Sequence, residues 1–280
     1  MPELPEVQTV VNDLISAELV GSIIQGAKIY WSKTVDGHTP RGFGRLIKGR
    51  TIEAVRRRAK FIIFDLDSGW HLLIHLRMTG RIQLVPKGRK RHKHEHVVLK
   101  LDQQREMRFF DPRKFGRLYL VKDTEKLLGR LGPEPLSRRF TARQLGQLLQ
   151  AKKRQLKPLL LDQTFLAGLG NIYVDEALWD SGIHPLRLSN TLTQAETQRL
   201  HRSIRKVLRR GLKNLGTTLG RGQTTFYSVA RNRGRNRDAL KVFRRDGRPC
   251  PRCKTTIERL LVGQRSTHIC KRCQHLLTSN

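Results

Sequence analysis

The chain has 280 residues, enough for two moderate cores, and its 56 Lys and Arg against 23 Asp and Glu leave a formal charge of +33. Such an excess repels itself in a compact fold and calls for an anionic partner, nucleic acid first and an acidic membrane surface second. No uninterrupted apolar run of about 18 residues occurs, acids at positions 3, 6 and 13 break any export leader, and all four cysteines fall in the last 31 residues, which argues against a secreted disulfide scaffold and for a reducing, cytoplasmic compartment.

In chain order, the first predicted element is a helix. Pro5 and Glu6 suit a first helical turn, and VQTVVNDLISAEL puts Val7, Val10, Val11, Leu14 and Ile15 on one face. Helix punctuation does not account for Pro2 and Glu3. From about residue 20 to 121 the pattern is β-rich. FIIFDL (61–66) and WHLLIHL (70–76) flank a turn at Asp67-Ser68-Gly69, and RIQLV (81–85), HVVLKL (96–101), MRFFD (107–111) and RLYLV (117–121) follow. Regular short strands predict a sandwich or barrel rather than a parallel sheet. The loop KGRKRHKH (87–94) is dense in positive charge. Lys60 ends the run RRRAK at the edge of an apolar strand, where a lysine is more fixed than on open surface. His75 and Met78, in HLRMTG, read as core or turn residues on their own. Asp111-Pro112-Arg113-Lys114-Phe115-Gly116 reads as a turn, usually solvated, yet Arg113 beside Phe115 is also what a protein needs to enter a base stack.

Gly132-Pro133-Glu134-Pro135 marks a linker, and helical patterning follows. Thr141 with Gln144 forms a capping box, a second helix spans Lys157 to Leu166, and Asn171 opens a third, IYVDEALWDSG. Asn171 is a plain N-cap or part of an anion site at a helix N-terminus. Thr193 and Glu196 cap a helix burying Leu200, Ile204, Val207 and Leu208, and 216–237 loses periodicity and reads as a mobile loop. At the end, Cys250, Cys253, Cys270 and Cys273 stand as two CxxC pairs 16 residues apart, the spacing of a tetrahedral four-thiolate zinc site. Two disulfides or four free thiols are the plainer readings, and His268 and His275 are spare ligands. Between the pairs, Thr255 to Val262 and Arg265 to Ile269 can form a hairpin whose turn presents Gln264 and Arg265.

Several separate stretches then agree. MPELPEV, RRRAK, HLRMTG, DPRKFG, LLLDQTFLAGLGNIYVDEAL and CPRC…GQRSTHICKRCQ resemble, in the same order along nearly the whole chain, formamidopyrimidine-DNA glycosylase. Leu4 favours that family over the endonuclease VIII branch, which typically has glycine there. The resemblance implies an α+β architecture: an N-terminal β-sandwich with a flanking helix over 1–132, a helix–two-turn–helix domain over 133–237, and a four-cysteine zinc finger over 238–280 with one structural zinc ion. It also implies a monomeric enzyme acting on double-stranded DNA, with no membrane partner, close to the nucleoid. Such an enzyme removes 8-oxoguanine and formamidopyrimidines, then cuts the strand by β- and δ-elimination. An endonuclease VIII-like enzyme for oxidised pyrimidines and a non-catalytic zinc-finger DNA-binding protein are the alternatives.

Carried over by motif, Pro2 is the nucleophile once Met1 is removed, and Glu3 is the acid that opens the sugar ring. Lys60 assists elimination, and Arg265 grips phosphate and is linked to δ-elimination. Met78, Arg113 and Phe115 match the residues that fill the gap left by an extruded base. Asn171, His75, His94, Lys152 and Lys157 match backbone-contact positions, and Glu176 supports the site from its helix. Two departures stand out. Arg77 replaces the more usual glycine, and 220–237 diverges from the family's wording.

Overall fold

A computed structural model describes residues 2–220 and 225–276. Its contacts divide the chain into two units, Met1–Arg130 with Asn214–Arg237, and Leu131–Lys213 with Asp238–Asn280. This cut differs from the three segments read off the sequence, because residues 214–237 pack with the N-terminal unit: Phe226 and Val229 lie against its hydrophobic core.

The first unit opens with α1 (Leu4–Ser16), whose N-cap is Glu3. Glu3 and Glu6 form a reciprocal capping box, so Glu6 does more than complement the helix dipole. Leu4, Val7, Val10, Val11 and Leu14 are fully buried, each contributing about 2 kcal/mol by leaving water. Ile15, expected on that face, is instead 47% exposed, because one helical step past Leu14 carries it off the apolar stripe. Beneath the helix lies a two-sheet sandwich. One sheet runs β1-β7-β8-β6, from β1 (Ile24–Ile29), β6 (Arg81–Pro86), β7 (Glu95–Leu101) and β8 (Arg105–Phe110). The other runs β2-β9-β5-β4-β3, from β2 (Val35–Asp36), β3 (Ile52–Arg58), β4 (Phe61–Leu66), β5 (Trp70–His75) and β9 (Arg117–Val121).

All six strands predicted between 61 and 121 are present within a residue or two. Strands β1, β2 and β3 fall in the β-rich region but are not individually predicted by the sequence, nor is α2 (Pro40–Ile47), whose sequence carries Gly42 and Gly44 and looks like loop. Thr39 caps α2 by accepting from Gly42 N at 3.1 Å, and Phe43 and Ile47 anchor it in the core. The short β2 pairs with β9 in parallel, the one departure from antiparallel pairing in the sandwich. A single turn, α3 (Glu125–Leu128), closes the segment.

The second unit holds α4 (Ala142–Gln150), α5 (Leu156–Leu161), α6 (Asn171–Ser181), α7 (Gln194–Lys213) and the hairpin β10 (Glu258–Val262) with β11 (Arg265–Ile269). Both expected capping boxes contribute: Gln144 N donates to Thr141 Oγ1 at 3.2 Å, and Thr193 N to Glu196 Oε2 at 2.8 Å. The second predicted helix ends at Leu161 rather than Leu166, because Asp162 turns the chain by accepting from Thr164 N at 3.0 Å. Strand β10 begins at Glu258 rather than Thr255. Among the described residues no helix is long and apolar enough to cross a membrane.

The mobile loop expected over 216–237 needs correction for its described part; residues 221–224 lie outside the described residues. Thr217, Thr218, Ser228 and Asn236 are buried. Asn236 N donates to Gly216 O at 3.0 Å, and Ala230 N reaches Asp13 of α1 at 2.8 Å. The polar composition that looked like mobility supplies these side-chain and backbone bonds.

Candidate functional site

In the first unit the residues of interest gather at the start of α1. Pro2 is buried and Glu3 is 2% exposed. Buried acids need fixed partners: the Glu3 carboxylate accepts from the Glu6 backbone N–H in the capping box, and the Glu6 carboxylate accepts from Glu3 N at 2.9 Å and from Thr217 N at 2.6 Å. Gly216 has φ +82°, and a Cβ there would meet Glu6 Cγ at 2.8 Å, so glycine is what lets the 216–217 backbone come this close. Arg57 ties the first turns of α1 to β3: its Nε donates to Gln8 Oε1 at 2.9 Å and its Nη1 to Ala59 O at 3.0 Å. Ala59, held at φ +52°, and Lys60 form the two-residue turn between β3 and β4. Lys60 is itself buried, 5% exposed.

A second group follows β5 and β8. Asp111 is fully buried and organises two turns at once. Its carboxylate accepts from Thr79 Oγ1, from Arg113 N at 3.2 Å and from Gly116 N at 2.7 Å. It thereby fixes both HLRMTG and DPRKFG, a role the sequence reading missed; an Asp-Pro start is the Asx-turn signal for it. These turns hold Met78 at 36% and Phe115 at 48% exposure, unusual for large apolar side chains, with the Arg113 guanidinium 4.7 Å from the Phe115 ring centre. His75 accepts from Arg77 N at its Nδ1, 3.0 Å away, which leaves the proton on Nε2. Burial first, then the cations Arg77 and Lys60, push its pKa down to about 3, so it is a neutral N–H donor. His94, at the end of the basic loop, is likewise lowered by burial and by His92 and Lys93.

In the second unit, Asn171 does not cap α6. The N-cap is Gly170, and the Asn171 side chain instead donates to Ser266 O at 2.9 Å, next to Arg265. Its Oδ1 is buried with no hydrogen-bond partner among the described residues. Lys157 also reaches Ser266 O, at 2.9 Å, and pairs with Asp175 at 2.5 Å. Its side chain is 0% exposed and braces the hairpin from beneath Ser266. Asp175 further accepts from His268 N at 3.0 Å and lies 3.1 Å from His268 Nδ1, which turns His268 away from metal duty. Glu176 binds the backbone amides of Lys241, Val242 and Phe243 and pairs with Arg210 at 2.9 Å. It fastens the chain that leads into the cysteines. Arg265 and Lys152 are exposed, Arg265 beside the Gly263-Gln264 turn, where both residues take left-handed φ.

The ligand atoms of Cys250, Cys253, Cys270 and Cys273 all lie within 4.8 Å of one another, with Sγ separations of 3.3 Å for 253–270 and 3.9 Å for 250–273. Sulfurs about 3.8 Å apart are what four Zn–S bonds of about 2.3 Å at tetrahedral angles require. A hydrogen bond from Thr255 and neighbouring sulfurs lower Cys253 to about 6, while burial and the sulfurs around it raise Cys273. Four crowded thiols ionise together only with a cation among them, so the donor set fits one structural zinc.

Comparison with known proteins adds to this geometry. Sequence models described as the formamidopyrimidine-DNA glycosylase N-terminal domain, the formamidopyrimidine-DNA glycosylase H2TH domain and the zinc finger found in FPG and IleRS match residues 1–118, 131–222 and 247–276. The formamidopyrimidine-DNA glycosylase of Protochlamydia amoebophila is 46% identical over 274 residues, covering 98% of this chain and 99% of that protein. The fold is similar to Lactococcus lactis Fpg bound to DNA containing an abasic site (TM-score 0.89, 33% identity, 98% of this chain and 100% of that one). It is equally similar to MutM in complex with carbocyclic 8-oxo-G-containing DNA (TM-score 0.89, 32% identity, 98% and 100%).

Proposed function

The chain belongs to the formamidopyrimidine-DNA glycosylase family, and from that premise we propose how its own residues carry out base excision. It is a DNA glycosylase that removes oxidised purines from duplex DNA and, as an AP lyase, cleaves the strand at the site it has emptied. The reaction runs at Pro2. With Met1 removed, its secondary amine has a reference pKa of about 7.7–8.0, so a useful fraction is neutral near pH 7. The nitrogen attacks C1′ of the damaged nucleotide, the glycosidic bond breaks, and the base leaves with its electron pair and takes a proton. Glu3 donates a proton to the ring oxygen as the sugar opens, which leaves an iminium at C1′. That iminium is an electron sink: loss of a C2′ proton expels the 3′ phosphate, and a second elimination expels the 5′ phosphate.

The remaining residues position this chemistry. Met78, Arg113 and Phe115 enter the stack where the base has swung out, offsetting an unstacking cost of a few kcal/mol. Neutral His75, His94, Lys152, Asn171 and Arg265 meet backbone phosphates, and Lys60 and Arg265 promote the eliminations. A reducing cytoplasm beside the chromosome suits both the DNA substrate and the four thiolates. One observation carries the reading: a buried Glu3 whose amide is locked by Glu6, directly after Pro2. The capping box uses the Glu3 carboxylate to start α1; what the box does not require is that this carboxylate be buried directly after a proline that can act as a nucleophile. Incubation with a duplex containing a single 8-oxoguanine tests it. Strand cleavage at the lesion is expected, and an intact strand after prolonged incubation with excess enzyme would contradict it.

A further inference from the structure

The basic loop 87–94 is only partly used by the mechanism, through His94, and it is not the solvated charge run its sequence suggests. A buried ion cluster pins it. Glu95 is 0% exposed, and its carboxylate takes Arg89, His92 N at 3.1 Å and Arg108 Nη1 at 2.7 Å. Arg108, also buried, pairs with Glu106 at 2.6 Å and holds Arg89 O at 2.5 Å. Both acids are therefore spent inside the protein. The loop so fixed forms, with β6 and β8, a cavity of about 570 Å³ lined by Arg81, Arg89, Lys90, Lys93, Glu95 and Phe110 among others. On its floor the Arg81 guanidinium stacks 4.0 Å from the Phe110 ring centre, and His92 lies 5.2 Å from the same ring. The Nε–H groups of Arg81 and Arg89 are buried without an acceptor among the described residues. The ammonium groups of Lys90 and Lys93 have no acidic partner among them either. Burying an ion network to hold a concave set of cations with unfilled donors is preorganisation for a tetrahedral oxyanion.

We propose that this cavity is a phosphate-binding site that takes a backbone phosphodiester of duplex DNA, in addition to the contacts assigned above. The proposal rests on the glycosylase reading only in naming duplex DNA as the source of the phosphate. A rigid concave site adds a phosphate contact with little ordering cost and gives part of the +33 charge a place to act.

The test uses undamaged duplex, so it needs no catalysis and stands even if no lesion is ever cut. Lys90→Gln/Lys93→Gln removes two exposed cations that hold nothing else in place, and thermal melting checks that the fold is kept. Lys33→Gln/Lys48→Gln removes the same charge from exposed positions elsewhere in the unit. The pocket variant is expected to bind duplex several-fold more weakly near 0.1 M salt. Its slope of log affinity against log salt should be shallower by about one, while the control keeps the wild-type slope. Unchanged slope in the pocket variant, or an equal loss in both, overturns the site. A second arm separates the phosphate sources: millimolar tripolyphosphate, followed through the His92 and His94 ring resonances. Shifts reversed by duplex support the proposal. No shift, or bound tripolyphosphate that duplex cannot displace, overturns it.

Discussion

Replacing Glu6 by glutamine probes whether the proposed reactive residues Pro2 and Glu3 depend on the structure that holds them. Glu6 is 1% exposed and accepts two backbone N–H groups, Glu3 N at 2.9 Å and Thr217 N at 2.6 Å. Hydrogen bonds to a charged acceptor contribute about 1.5–3 kcal/mol each. Glutamine retains one acceptor oxygen but turns its NH₂ toward the second amide, so one charge-assisted bond is lost and a buried N–H is stranded. About 3 kcal/mol of local stabilisation should go, and with it the fixed setting of the Glu3 backbone. A displacement near 1 Å at reacting groups costs about 100-fold in rate. Single-turnover incision of 8-oxoguanine duplex by Glu6→Gln is therefore expected to fall about 100-fold, with affinity for undamaged duplex nearly unchanged. Wild-type incision by a variant with a lowered melting temperature would refute the link from Glu6 to Glu3. Wild-type behaviour in both would refute the energetic argument too.

Three further outcomes are expected. Lys157→Met leaves Asp175 buried without its ammonium partner, so stability should fall by about 3 kcal/mol and duplex affinity should fall as Ser266 and Arg265 lose their pillar; an unaltered melting temperature would count against this. His75 titrates near 6.5 when unfolded and near 3 when folded, so the folded state binds fewer protons in that window. Stability conferred by the neutral ring is complete above about 6.5 and is lost as pH falls toward 3, by up to about 1.4 kcal/mol per pH unit, and a His75→Gln variant whose stability-versus-pH curve runs parallel to wild type would sink that argument. Strong zinc chelation should unfold the β10–β11 hairpin and abolish tight duplex binding, whereas full affinity in metal-free protein would falsify the role given to Arg265.

Much of the fold was legible because its signals are local. The alternation in 61–121 and the caps Thr141 and Thr193 act within a few residues of themselves. Likewise the CxxC spacing carries its own geometry, and the sulfurs fall where zinc needs them. What escaped the sequence depends on partners far along the chain. Asn171 looked like a cap until Ser266, 95 positions away, took its amide. Lys157 opens a helix in the sequence, but its buried pairing with Asp175, 18 positions on, is not visible there. The 216–237 stretch has the composition of a mobile loop, yet Glu6 and Asp13 hold it from 211 and 217 positions away. Asp111 reads as part of a turn, but its hold on Thr79, just before the neighbouring strand β6 and 32 positions back, cannot be seen in the order of residues. Pro2 and Glu3 were legible only through resemblance, since no pattern rule predicts a nucleophile from an N-terminal imino acid.

The account stands or falls on the nitrogen of Pro2. Borohydride reduction during incubation with 8-oxoguanine duplex, followed by proteolysis and mass spectrometry of the trapped species, reads it directly. The account predicts one covalent DNA adduct on the N-terminal peptide, at Pro2, and none in protein that retains Met1 yet still binds duplex. An adduct on Lys60 or another lysine, or equal trapping in the Met1-retaining protein, would contradict it.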